Sequence, residues 1–324
     1  MRDLEMSWYV KFKNNDNSYR LAVIEKIEIK ESVESLADTA TITLPESAWN
    51  DVLKLENKIK RGTQIIVQLG YDRKLETEFV GYVQKITNDG SLIIHCEDAL
   101  FLFRKSVPDI VLKPTTVKKI AEYLIKHVDR SFTLKCDYDI PYEKFTIHQA
   151  TGYDVLKKLQ DEIKGNIYFD TETKILHIHP PFVEKGGEAV YSMHLNVENS
   201  SLEYKESIDK QIEVTVESVD INGKVRSVTV GNTGGDKVTI KIGHPMSEDA
   251  MKKVAESALL KRNFNGYEGS FDTWLVPFVK PSYSILLSDR DYLYKKGNYY
   301  VVSVDTTFDE NGGKRTITPG IKLN

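Results

Sequence analysis

The chain has 324 residues, 40% apolar and 28% charged, enough for two or three soluble globular domains. A formal net charge of -4 excludes the broad basic footprint of a nucleic-acid binder. Two cysteines, Cys96 and Cys136, exclude a disulfide framework and are both expected to be reduced and buried; no secretory leader is expected, and no run of about 18 apolar residues occurs.

The first hundred residues read mainly as strands. "SWYVKFK", "RLAVIEKIEIKE" and "TATITLP" alternate apolar and polar residues, the pattern of half-buried strands. "AWNDVLKLENKIK" suggests a short helix with Trp49, Val52, Leu53 and Leu55 as its inward candidates. Asn88-Asp89-Gly90 then marks a hairpin turn before "SLIIHCEDALFLF". The period changes in "TTVKKIAEYLIKHV". Val117, Ile120, Ala121, Leu124, Ile125 and Val128 form one helical stripe, with Thr115 or Thr116 as cap.

A second helix is expected in "TGYDVLKKLQDEIKG". Thr151 and Asp154 make its capping box, and Gly165 stands where a left-handed residue belongs. "NIYFDTETKILHIHP" reads as a hairpin. Further on, Asn222-Gly223 turns another hairpin and "GNTGGDK" reads as a mobile loop. Ser247 caps a third helix that ends at Lys261-Arg262, and Asn311-Gly312-Gly313 turns the last hairpin.

One hairpin is written twice. "KRGTQIIVQLGYDRKLETEFVGYVQKI" begins at Lys60, and "KPSYSILLSDRDYLYKKGNYYVVSV" begins at Lys280. Each opens with a basic residue and a turn, then a short apolar strand, Ile65–Leu69 or Ile285–Leu287. Each passes a charged loop with Asp72-Arg73 or Asp289-Arg290, and returns on Gly81-Tyr82-Val83 or Tyr299-Tyr300-Val301. The expected fold class is α+β, mainly β: two similar small β-barrels with an intervening α/β module. The expected domains are 1–105, 106–200 and 201–324.

Chemistry-bearing residues have plainer readings. His177 and His179 share a strand face and have the spacing of a metal-binding pair, but no Cys or acid at ligand spacing accompanies them, so a polar hairpin face is favoured. His95 and Cys96 are adjacent on a strand and face opposite ways, so they form no nucleophile–base pair, and Cys96 is expected in the core. "GNTGGD" matches no phosphate-binding loop. The acids of "CDYDIPYE" and "DTETK" carry no sign of converging as a carboxylate pair. Trp8, Trp49 and Trp274 sit in apolar patterns that predict burial.

Three stretches resemble a known family. They are "FVGYVQKITNDGSLIIHCEDALFLFRK"; "TTVKKIAEYLIKH" with "ATGYDVLKKLQDEIKGNIYFDTETKILHIHP"; and "GSFDTWLVPFVKPSYSILLSDRDYLYKKGNYYVVSVDTTFDENGGKRT". In order and spacing they are similar to the baseplate hub proteins of contractile phage tails. That family is also called late control protein D or the Mu-type tail hub, and includes the hub part of type VI secretion spike proteins. One turn departs from it: the family reads Pro-Gly where this chain has Pro281-Ser282. The resemblance implies two tail-tube-like barrels and a homotrimer that forms a pseudo-sixfold ring. It also implies a tail tube or tube-initiator protein and a spike protein as partners. With the chain ending at Asn324, the spike is expected to be a separate polypeptide.

The implied protein is made in the bacterial host cytoplasm and resides in the tail baseplate of a virion. It has no catalytic residues, cofactor, metal, small-molecule substrate, sequence-specific nucleic acid or stable membrane association. Ile65, Val67, Leu69, Tyr82, Ile285, Leu287, Tyr299 and Val301 are the expected oligomer-interface residues, with each barrel's own core as the rival placement. The alternative functions are a tail-associated cell-wall-degrading enzyme and a receptor- or carbohydrate-binding tail module.

Overall fold

The computed structural model describes residues 4–14, 17–45, 59–183, 186–207, 211–220 and 222–323. The helix expected around Trp49 lies outside the described residues. Strands predominate, and the chain forms two compact units, both discontinuous. One comprises 1–101, 184–202 and 268–324; the other comprises 102–183 and 203–267. The chain crosses between the units at 101/102, 183/184, 202/203 and 267/268.

The first unit is built on thirteen labelled strands. Its N-terminal half holds β1 (Met6–Asn14), β2 (Asn17–Arg20), β3 (Lys26–Ser32), β4 (Thr39–Leu44), β5 (Gln64–Tyr71), β6 (Lys74–Asp89) and β7 (Ser91–Glu97). Its other half holds β8 (Glu188–Ser192), β9 (Asn199–Ser200), β10 (Phe271–Trp274), β11 (Ser284–Ser288), β12 (Gly297–Asp309) and β13 (Gly312–Leu323).

The halves share one strand order, β1-β5-β6-β7-β4-β3 in the first and β8-β11-β12-β13-β10-β9 in the second. The first strand differs in direction: β1 runs antiparallel to β5, whereas β8 runs parallel to β11. Among the described residues neither half closes on itself by ladder pairing. Instead β3 pairs with β12, from Ser303 opposite Ser32 to Phe308 opposite Ile27, and joins the halves into one sheet. Alternation decides the inward face. In β5 every second side chain is buried, and Phe12, Ile27, Ile42, Ile65, Val67, Leu69, Phe79, Val83 and Ile94 form one apolar cluster with Leu275 and Phe308.

The repeated hairpins match bond for bond at their bases. Thr63 N–H donates to Lys60 O (2.9 Å), Gly62 N–H to Val83 O (2.8 Å) and Val83 N–H to Thr63 O (2.9 Å). Tyr283 N–H donates to Lys280 O (3.2 Å), Ser282 N–H to Val301 O (2.9 Å) and Val301 N–H to Tyr283 O (2.9 Å). Gly62 has φ +87° and Ser282 has φ +71°, so the turn geometry survives the loss of glycine with a serine held in the left-handed region. Such a residue costs about 1 kcal/mol or more relative to glycine. Ser282→Gly is therefore expected to raise stability by up to about 1 kcal/mol, and Gly62→Ala to lower it by a similar amount, read as shifts in the denaturant midpoint.

Even the irregularities repeat. A bulge sets Val83 opposite Cys96 and Lys85 opposite His95, and another sets Val301 opposite Pro319 and Ser303 opposite Thr318. The distal loops do not repeat. Asp72 and Arg73, both at positive φ, make a two-residue turn, while Asp289-Arg290 opens a longer loop containing a 3-10 turn at Leu293–Lys295.

The second unit carries α1 (Val117–Val128), α2 (Gly152–Ile163) and α3 (Glu248–Leu260). Thr116 caps α1 by accepting from Lys119 N–H. The Thr151–Asp154 capping box forms as read, and Ser247 caps α3. Two details differ from expectation. The left-handed residue ending α2 is Lys164 (φ +55°), not Gly165. Gly165 is required for space, because a Cβ there would lie 2.8 Å from both His179 O and the Tyr138 ring. And α3 stops at Leu260, with Lys261 as its C-cap.

The second unit also holds two small two-stranded pairings, Thr115–Thr116 with Pro141–Tyr142 and Ile110–Leu112 with Phe145–Ile147, and two three-stranded sheets. In one, strand Ile175–His179 lies between Thr133–Cys136 and Asn166–Asp170. In the other, strand Ile212–Val219 lies between Val225–Gly231 and Asp236–Ile242. "GNTGGDK" supplies a turn between the last two strands, bonded through Asn232 N–H to Ile212 O and Gly235 N–H to Asn232 O.

His244 is buried in the second unit, its ring centroid 4.7 Å from that of Phe145. Burial, reinforced by Lys158 and Lys144, pushes it down to about 4. The folded group thus resists a proton that the unfolded imidazole accepts near its ordinary 6.5. Its contribution to stability is complete above about 6.5 and is lost as the pH falls toward 4. His244→Gln is expected to flatten that part of the melting-temperature profile.

Candidate functional site

Seven of the expected interface residues are spent inside the chain. Ile65, Val67, Leu69, Ile285, Tyr299 and Val301 are fully buried, and Leu287 is 1% exposed. Their side chains are buried within the first unit. Tyr82 alone of the eight is partly exposed, and its ring stacks on Phe101 at 5.8 Å.

What sequence reasoning missed is a buried charge row where the halves join. Arg315 of β13 is fully buried and Glu78 of β6 is 1% exposed, and the two form an ion pair. The Arg315 guanidinium also donates to Leu275 O and Pro277 O. Beside them, the Lys280 ammonium donates to Glu31 Oε1 of β3 and to Glu78 O, both at 2.8 Å. Ser32 N–H donates to Asp38 Oδ1 (2.9 Å). Tyr71 Oη donates to Gly313 O (3.0 Å), another bond from one half to the other.

Burial sets the electrostatics of this row. It pushes the Glu78 carboxyl up to about 7 against the pull of Arg315 and Lys280. Asp38 is held well above the usual carboxylate range by burial and by the nearby Asp98. For Lys280, burial acts to lower the ammonium, but Glu31 and Glu78 outweigh it and hold it above its ordinary value. Among the described residues, Glu78 Oε2, Glu31 Oε2 and Arg315 Nε have no hydrogen-bond partner, so the row is incompletely satisfied. The only warning in the sequence is charged residues within strands that otherwise alternate.

The other candidates resolve into structural roles. His177 and His179 share a face, as their spacing requires, but the face is buried rather than a polar exterior. His177 Nδ1 lies 3.0 Å from His179 Nε2, His179 Nδ1 lies 3.0 Å from Asp137 Oδ2, and Tyr168 stacks on His177 at 4.8 Å. Asp139 caps Lys118 N–H and Asp170 caps Thr173 N–H. Cys96 is buried and its thiol is pushed up by burial, away from nucleophilic use. Cys136 is only half-buried.

Trp274, expected inside, is 47% exposed. It lies on the outward phase of β10, between the buried Thr273 and Leu275. Beside the long distal loop, His194 Nε2, in the segment after β8, stands 3.7 Å from Asp289 Oδ1 and 3.6 Å from Asp291 Oδ2. Asp289 Oδ1 is already engaged by Asp291 N–H and Tyr292 N–H, which is the work of a loop-shaping turn.

No protein-family model matches the chain, and no curated protein matches its sequence. Solved structures do match. The 43 kDa tail protein of prophage MuSo2 from Shewanella oneidensis is similar at TM-score 0.66 and 14% identity, covering 97% of this chain and 98% of that one. The tail protein from Neisseria meningitidis MC58 is similar at 0.66 and 14%, covering 98% and 96%. The E. coli c3393 protein, a component of the type VI secretion system, is similar at 0.62 and 11%, covering 97% and 77%. Along almost its whole length this chain therefore has the fold of phage tail proteins and of a type VI secretion component.

Proposed function

We propose that the chain is a structural hub of a phage or phage-like contractile-tail baseplate. Three copies form a ring that joins the tail tube to the cell-puncturing spike. The observation that carries this reading is the duplication: two halves with the same strand order, the same basal turn and the same bulge, fused edge to edge. Three such chains place six similar, barrel-like units around one axis, which lets a threefold spike meet a sixfold tube. Tail and secretion-system proteins of the same fold support it.

The role is assembly rather than catalysis, and the partners are a second and third copy, a tube protein and a spike protein. The site of action is the virion tail. No helix among the described residues is long and apolar enough to cross a membrane. Light scattering with electron microscopy of the purified chain tests the proposal. A particle of three chains with six lobes around a central channel is expected. A chain that stays single, with or without its tube and spike partners, would count against it.

A further inference from the structure

The two halves of the first unit close the same corner in different ways. In the first half the start of β1 is laced to the Asp72-Arg73 turn. Asp72 N–H donates to Glu5 O (2.8 Å), Glu5 N–H to Asp72 Oδ1 (3.1 Å) and Arg73 N–H to Ser7 Oγ (3.0 Å). In the second half the segment after β8 meets the Asp289-Arg290 loop, with Met193 N–H donating to Ser288 O (3.0 Å). Just beyond, three side chains face one another without bonding. The 3.7 Å from His194 Nε2 to Asp289 Oδ1 and the 3.6 Å to Asp291 Oδ2 are too long for hydrogen bonds.

That spacing suits an ion between them. Two ligands of one tetrahedral ion, each about 2.0–2.1 Å from it, stand roughly 3.3 Å apart. The two measured distances are within a few tenths of an ångström of this, and one ligand atom from each of the three residues lies within 4.8 Å of the others. The backbone under the three is already fixed. Leu195 N–H and Asn196 N–H both donate to Ser192 O (3.1 and 3.2 Å), and Ser192 N–H donates to Asn196 Oδ1 (2.7 Å), so His194 sits on a closed turn. The N–H groups of Asp291 and Tyr292 orient the Asp289 carboxylate without neutralising it, as hydrogen bonds commonly do for metal-binding carboxylates. Asp291 Oδ1 has Arg290 Nε at 3.7 Å, but that side chain is largely exposed and offsets little charge.

We propose that His194, Asp289 and Asp291 form a binding site for a divalent transition-metal ion such as Zn²⁺. One imidazole nitrogen and two carboxylate oxygens favour Zn²⁺, Co²⁺ or Mn²⁺ over Mg²⁺, which prefers an all-oxygen shell. A bound ion ties the loop after β11 to the segment after β8, as the Asp72 bonds tie the corresponding corner of the first half. The site lies within one chain and does not depend on the ring reading.

Calorimetric titration of the untagged, chelator-treated full chain tests the assignment. Zn²⁺ is expected to bind at one ion per chain and to raise the melting temperature, while Mg²⁺ does neither. Co²⁺ should give visible absorption without the near-ultraviolet thiolate band that binding at Cys136 would produce. His194→Ala and Asp291→Asn should each weaken Zn²⁺ binding by at least about tenfold with an unchanged circular dichroism spectrum. His148→Ala, which removes the exposed His148–Asp109 pair of the second unit, should leave it unchanged. A wild type that binds neither Zn²⁺ nor Co²⁺, an unchanged affinity in His194→Ala, or a loss confined to His148→Ala would overturn the site.

Discussion

Arg315→Met is expected to cost about 3–5 kcal/mol of stability, the scale of leaving one member of a buried ion pair without its partner. It strands Glu78 in a site that is 1% exposed. The combined change Glu78→Met with Arg315→Met is expected to recover most of the loss, because the row leaves Glu78 Oε2 and Arg315 Nε unsatisfied and apolar groups remove that cost. The loss also depends on pH. The folded carboxyl already binds a proton near 7, above its ordinary value. A group raised in the fold favours folding below its unfolded value, and that contribution fades as pH rises through the folded one. Arg315→Met should therefore be milder at pH 5 than at pH 8. Chemical denaturation at both values, on the single and double variants, checks the sign and the size.

Ile65→Ala and Ile285→Ala are each expected to lower stability by about 2–5 kcal/mol, the cost of a cavity in a packed core. Both side chains are fully buried and occupy equivalent places in the repeated hairpins. The loss should be the same at dilute and concentrated protein, because these side chains face inward within one chain. A loss that vanished at high concentration would restore them to the contact between copies. The denaturant midpoint at two protein concentrations settles which holds.

The repeat was legible because turns and alternation are local. A basic residue, two turn residues and an apolar strand specify the base of each hairpin, and both bases formed as read. Ser282 was not legible as a left-handed residue, because glycine is the usual signal and the surrounding bonds impose the geometry instead. The distal loops misled for a related reason: Asp-Arg appears in both, but loop length rather than composition decides the turn. Partner choice was out of reach. Alternation marks β3 as a strand, yet Ser32 meets Val302 across 270 residues of sequence. The ion pair of Glu78 and Arg315, 237 residues apart, reads as two ordinary polar positions until the halves are joined. For the expected contact residues, hydrophobicity pointed to burial without distinguishing a core from a partner.

The joint between β3 and β12 also sets an order of events at the ribosome. The N-terminal half is synthesised long before β12 emerges, so the edge of β3 stays uncovered throughout elongation. A nascent chain further advanced on the same message would then offer a shorter one the docking strand that the shorter one still lacks. Any truncation before Gly297 would make that exposure permanent, leaving a sticky fragment instead of a smaller working protein.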